Sequence, residues 1–155
     1  MTTVLVPVRA ADVPDLARFL RDADLTVAGL DAPGLRCWIE RDVDGAVVGS
    51  TGYEAGDDGA HVLVRSVAVA PERRSGGHGT RLARFALDRA AESGATTAWL
   101  FSRRSGPFWQ GLGFVPADLA DLAGALATTQ QVQLFARTGQ LDVERAWSRP
   151  LVPAS

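Results

Sequence analysis

The chain alternates short apolar runs with helical stripes, separated by clusters of glycine, proline and aspartate. Val4-Leu5-Val6-Pro7-Val8 predicts a first strand. Beyond Asp12, which predicts a helix cap, apolar residues recur at Val13, Leu16, Ala17 and Leu20, the spacing of one helix face. Leu25 to Leu35 has no clear period and stays open between a loop and a short second helix; Pro33-Gly34 breaks either one. Asp44-Gly45, set between Cys37-Trp38-Ile39-Glu40 and Ala46-Val47-Val48-Gly49, predicts a hairpin. His61 to Val69 is apolar on both faces, as a central strand should be. Leu82, Phe85, Ala86 and Ala90 then line one helix face, opposite Arg81, Arg84, Asp88 and Glu92, and Gly94 ends that helix. Thr97 to Phe101 predicts the next strand, followed by a short helix before Gly113-Phe114. Beyond Pro116 come an Ala/Leu helix, Asp118 to Ala127, and an alternating run, Gln131 to Ala136, that predicts a strand.

This pattern implies an α/β fold. It suits one domain over residues 1–155, with a core over 1–116 and a C-terminal helix, strand and tail over 117–155. A net charge of −2 and a pI near 5.6 argue against nucleic acid or an anionic membrane as a general partner. All sixteen Lys-plus-Arg positions are arginine, which favours fork-like contacts to phosphate or carboxylate where a site needs them. The single cysteine, Cys37, excludes an internal disulfide and fits a reducing compartment. With no signal-like or membrane-length segment, a cytoplasmic protein is expected.

The most informative chemistry lies in Val67-Ala68-Val69-Ala70-Pro71-Glu72-Arg73-Arg74-Ser75-Gly76-Gly77-His78-Gly79-Thr80-Arg81-Leu82. A strand there runs into a helix through a glycine loop. Glycine lets backbone approach a ligand closely, and the helix start offers unpaired N–H groups and a positive dipole end. The pattern suits a pyrophosphate. It is not a Walker loop, since no Lys-Ser/Thr pair follows Gly79, nor a dinucleotide fingerprint, since Leu82 stands where a third glycine belongs.

Arg74, Gly77 and Gly79 do fit Arg-x-x-Gly-x-Gly. Together with Val67-Ala68-Val69-x-Pro71 and the downstream Phe108-Trp109-Gln110-Gly111-Leu112-Gly113-Phe114, this resembles the GNAT N-acetyltransferase superfamily. The resemblance covers the chain to about Pro116. The tail segment Thr129-x-Gln131-Val132 is faintly similar to members linked to arsenic resistance that acetylate amino-acid-like arsenicals. The resemblance implies a mixed, mostly antiparallel sheet of six to seven strands flanked by helices. Acetyl-CoA would lie between splayed strands 4 and 5. The pantetheine arm would pair with backbone around Val67, Ala68 and Val69, and the Val67 amide would face the oxyanion. Amides of Arg74, Ser75, Gly76, Gly77, His78, Gly79 and Thr80 would hold the pyrophosphate, with Arg73 and Arg74 adding charge. Phe108 and Trp109 would line the cofactor.

One position departs from many relatives, which carry Tyr where this chain has Trp109. An indole N–H can donate a hydrogen bond but not a proton at neutral pH. A thiol with a pKa of about 8–9 leaves tolerably without an acid, and Ser102, Ser105 or water would stabilise the thiolate. Glu54, then His61 and Glu40, are candidate general bases, each with an ordinary structural role as the competing reading. His78 is expected to be exposed and without a catalytic role. Arg65 interrupts the apolar run two residues before Val67, on the same side by strand alternation. It either clamps a substrate carboxylate, with Glu54 nearby, or pairs with Glu54 or Glu40. Arg103-Arg104 either reach the cofactor's 3′-phosphate or coat the surface.

The function expected is acetyl transfer to the primary amine of a small molecule, an amino acid or an amino-acid-like toxin. An acyl-CoA-binding sensing module and a protein N-acetyltransferase are the alternatives. No metal is expected. Whether the last predicted strand completes the sheet or crosses to a second copy is open, as is packing of Trp147 across an interface or back on the domain.

Overall fold

The computed structural model describes residues 4–74 and 76–152. Seven strands form one sheet: β1 (Val6–Pro7), β2 (Leu35–Arg41), β3 (Val47–Ala55), β4 (His61–Val69), β5 (Thr97–Phe101), β6 (Val115–Ala117) and β7 (Ala146–Pro150). Their order is β1-β2-β3-β4-β5-β7-β6. Every pairing is antiparallel except β4 with β5. That one parallel pair requires a crossover, which α2 (His78–Glu92) supplies. The remaining helices are α1 (Val13–Asp22), α3 (Gly106–Gln110), α4 (Leu119–Ala125) and α5 (Gln130–Thr138).

Each face of the sheet has its own apolar layer. Tyr53, Val62, Val64, Ala98 and Leu100 pack under α2 and α3, where Ala83, Leu87 and Trp109 meet them. On the other face, Ile39 and Ala68 take Leu16 and Leu20 of α1, and Leu63 takes Leu122, Leu126 and Val132 of α4, the turn after it and α5. Polar ties reinforce these layers. The Thr51 hydroxyl donates to the Leu82 carbonyl at 2.7 Å, joining β3 to α2. Arg41 joins β2 to α1 by donating to Asp12 and Asp15, each at 3.0 Å.

Several sequence expectations are corrected. Asp12 occupies the N-cap position of α1, but its side chain does not cap it; Oδ2 accepts from the Arg9 amide and Oδ1 from Arg41. Residues 25–34 form loop and turns, with no second helix, and Leu35 begins β2. Gln131 to Ala136 is not a strand but part of α5. A six-residue window of Gln, Val, Gln, Leu, Phe and Ala satisfies both periods, and capping decides between them. The Thr129 hydroxyl accepts from the Val132 amide, and the Glu54 carboxylate of β3 accepts from the Gln130 amide. The sheet is completed within the chain by β7, inserted between β5 and β6. Its Trp147 packs back on the domain, donating its indole N–H to the Ser102 carbonyl at 2.8 Å.

Candidate active site

β4 and β5 pair only over His61–Leu63 and Thr97–Trp99, then separate. The β5-facing edge of Val64–Val69 is therefore open. On its other side β4 carries a bulge. Ser50 pairs with Ala68 and Gly52 with Arg65, so Thr51 opposes both Ser66 and Val67. Ser66 takes the left-handed conformation, φ +64°, which non-glycine residues adopt at a cost.

The extra residue overturns the alternation argument for Arg65. Arg65 shares a face with Ala68 and Leu63, the α1/α4/α5 side, whereas Val67 packs with the α2 layer. The two side chains lie on opposite faces.

Past the open edge, Pro71–Arg73 makes a 3-10 turn, and Gly76 and Gly77 take φ of +81° and +80° before α2 begins. A Cβ placed on Gly77 meets nothing within 4 Å, so this bend is open rather than packed. The first helical amides, His78 to Thr80, have no partner within the helix, and Gly77 O accepts from the Arg81 amide to begin it. His78 is half-buried, not exposed. Phe108 of α3 stands beside Gly79, whose added Cβ would lie 3.6 Å from its ring. Arg74 turns back, its Nε donating to the Val69 carbonyl at 3.2 Å. Arg73 is half-exposed at the end of the 3-10 turn. Ser75 lies outside the described residues. An open cradle of left-handed glycines at a helix start fits a diphosphate, and the unpaired edge of β4 fits an extended amide chain.

A cavity of about 780 Å³ leads from this split to the opposite side of the sheet. Val67, Ser102, Ser105 and Trp109 line the end at the split; Thr26, Arg65, Ser66, Gln131 and Phe135 line the far end. Trp109 packs edge-on against both Phe108 and Phe114. Ser102 donates to the Ser105 hydroxyl oxygen at 3.2 Å and accepts from the Ser105 amide, so the Ser105 proton remains free to donate.

Glu54 and Arg65 form a buried pair, NH1 to Oε1 at 3.2 Å, with side chains 4% and 2% exposed. Glu54 also accepts from the Gln130 and Gln131 amides, and it does not line the cavity. Both of its oxygens are thus engaged in holding Arg65 and α5, a poor arrangement for taking a proton from a substrate. Glu40 is buried and accepts from Arg81 at 2.8 and 2.9 Å. His61 Nδ1 accepts from the Trp99 indole at 3.0 Å, at the far end of β4. None of the three candidate bases lines the cavity. Its acidic lining residues are Asp24 and Glu144, paired with Arg104 at 3.3 Å and Arg103 at 3.5 Å. Arg103 and Arg104 therefore line the cavity, each paired with one of its acids. Sequence reasoning missed Asp24, Ser66 and Glu144 because loop, bulge and tail positions carry no periodic signal; Gln131 it noticed in the tail segment Thr129-x-Gln131-Val132 and in a predicted strand, with no site role. Cys37 lies in β2 behind Arg65, its thiol pushed up to about 11 by burial, which outweighs the nearby guanidinium.

A model of the acetyltransferase (GNAT) family matches residues 8–114. No curated protein matches the chain in sequence. Among solved structures, the chain is similar to N-acetylglutamate synthase from Neisseria gonorrhoeae, complexed with coenzyme A and N-acetyl-glutamate. The TM-score is 0.75 at 16% identity, over 98% of this chain and 36% of that one. A GNAT-family acetyltransferase from Staphylococcus aureus Mu50 superposes with a TM-score of 0.75 at 15% identity, over 97% of this chain and 100% of the other. Rv2747 from Mycobacterium tuberculosis, solved with CoA, gives 0.73 at 16% identity, over 96% and 99%. The chain thus spans about a third of the length of the synthase and nearly all of the other two. At these identities the likeness is one of fold.

Proposed function

The chain belongs to the acetyltransferase (GNAT) family, and on that premise we propose that it transfers acetyl from acetyl-CoA to the primary amine of a small molecule, an amino acid or a close analogue. The observation that carries this reading is the cavity joining the β4/β5 split, where a thioester would lie, to a pocket on the other side of the sheet. Bound acetyl-CoA supplies an activated acetyl group. Amides at residues 76–80 hold its diphosphate and the Val64–Val69 edge holds its arm. The neutral amine of the acceptor forms a C–N bond to the thioester carbon while the C–S bond breaks. The Val67 amide steadies the oxygen during attack. Ser105 donates to the departing thiolate, which ends as the CoA thiol. The acceptor's ammonium has released its proton to water at the cavity mouth, so the products are the N-acetyl amine, CoA and one proton. Glu54 acts as a positioning residue rather than the base.

α5 and the loop after α1 wall the acceptor side of a cavity of about 780 Å³, a size that suits a small molecule. The absence of a cavity-lining candidate base favours, as a second reading, an acyl-CoA sensor. Thiol release from acetyl-CoA with a panel of L-amino acids and simple primary amines separates them. Turnover above the amine-free rate is expected; tight acetyl-CoA binding without release from any amine would establish the sensor.

A further inference from the structure

Unpartnered polar atoms deep in a folded protein are few, and each costs roughly 1–3 kcal/mol. Four buried side-chain atoms among the described residues have no partner: Arg65 Nε, Ser66 Oγ, Arg89 Nε and Gln131 Oε1. Three of the four belong to residues lining the acceptor end of one cavity. They come from β4, its bulge and the first turn of α5, elements brought together only by the tertiary fold.

Their chemistry is complementary. Arg65 is nine-tenths buried, and its guanidinium carries five donors, of which only two are engaged: NH1 with Glu54 at 3.2 Å and NH2 with the Thr26 carbonyl at 3.4 Å. Glu54 divides its acceptor capacity between Arg65 and the amides of Gln130 and Gln131. Arg65 is therefore held rigidly and left short of acceptors. The Ser66 hydroxyl turns toward the Cys37 thiol, so Arg65 and Gln131 carry the site. Gln131 adds an acceptor. The charge agrees: Arg21, Arg65, Arg103 and Arg104 line the cavity against Asp24 and Glu144, in a chain of net charge −2.

We propose that this end of the cavity recognises an α-amino-acid-like acceptor, Arg65 taking its carboxylate and Gln131 Oε1 accepting one N–H of its amine. The assignment rests on the acetyltransferase reading for its consequence but not for its test. A neutral amine that donates one N–H to Gln131 keeps its lone pair for the thioester carbon. Glu54 is the positioning residue, because it fixes both the guanidinium and the helix that carries Gln131. Buried carboxylate–guanidinium contacts of this type gain both strength and orientation from the fixed fork of arginine.

The test is calorimetric binding of L-amino acids to the CoA-saturated protein, beside the matching amino-acid amides and decarboxylated amines, which lack the carboxylate. At least one amino acid should bind tenfold or more tightly than both of its carboxylate-free counterparts. Gln131→Leu, whose Oε1 has no protein partner, should weaken that binding about tenfold. Its CoA affinity should stay at the wild-type value and its melting temperature should not fall. Arg65→Lys should abolish the preference for the acid, although its melting temperature falls as well. Equal affinity for acids, amides and amines, no binding by any amino acid, or wild-type affinity in Gln131→Leu would overturn the proposal. Should the preference appear without acetyl transfer to any amine, the pocket assignment stands and the acetyltransferase reading falls.

Discussion

Replacing Gly79 with alanine separates the stability of the glycine loop from its ligand. Gly79 lies within the first turn of α2 and outside the left-handed region. A Cβ there would sit 3.6 Å from the Phe108 ring and 4.0 Å from Val69, ordinary van der Waals distances, so the folded protein accepts the methyl. Alanine is favoured over glycine by about 0.5–1 kcal/mol in a helix interior and by less at a first turn. A change of 0 to about 1 kcal/mol raises the melting temperature of a chain this long by about 0–4 °C. The same methyl projects into the gap between the end of β4 and α3, where a diphosphate must approach the amides. Loss of one hydrogen bond to a charged group, about 1.5–3 kcal/mol, weakens acetyl-CoA binding about 10- to 100-fold. Titration calorimetry and thermal melts on the same preparations give both numbers. An acetyl-CoA Kd within twofold of wild type, with an unchanged melt, would refute the placement of the diphosphate. Gly77→Val is a poorer probe. Space is free there, but a φ of +80° forces valine into the left-handed region at a cost of about 1–2 kcal/mol or more, so stability and binding fall together.

Further outcomes follow from other contacts. Ser105→Ala should lower kcat about tenfold with the acetyl-CoA KM unchanged, as loss of one donor to a thiolate implies; an unaltered kcat would remove Ser105 from the reaction. In Gly52→Ala the new Cβ would lie 2.6 Å from both the Arg36 carbonyl and Cys37 Sγ. Backbone cannot move aside cheaply, so the melt should drop by several degrees, about 1–3 kcal/mol; an unchanged melt would contradict the β2/β3 register. With its thiol at about 11, Cys37 is about one-thousandth thiolate at pH 8. Iodoacetamide should spare the native protein at that pH and label it in guanidinium, and rapid native labelling would contradict the burial. The Arg9 amide, then Arg41, lowers the Asp12 pKa, so this carboxylate stabilises the fold above its ordinary range and loses that effect as pH falls through its lowered value. Denaturant midpoints of wild type and Asp12→Asn should start to draw together near about pH 4, the unfolded value, and meet only below the lowered Asp12 value; a gap that stays constant through that fall would assign the effect elsewhere.

Much of the fold was legible from local signals. The central strand, the crossover helix that ends before Gly94 and the fifth strand follow from apolar periodicity and glycine placement, and they stand at His61–Val69, His78–Glu92 and Thr97–Phe101. The glycine bend before α2 was legible for the same reason: a positive φ is most easily taken by glycine, and that requirement is written in residue type. The acceptor side was not legible. Whether Arg65 faces the same way as Val67 depends on one extra residue opposite Thr51, and a bulge is a choice of register between strands. Whether Gln131 to Ala136 becomes strand or helix turns on the Glu54 carboxylate, 76 residues away, accepting from the Gln130 amide. Spacing within a segment records how a chain folds on itself locally. The partner of a buried charge, and the side of the sheet it reaches, exist only once distant segments meet.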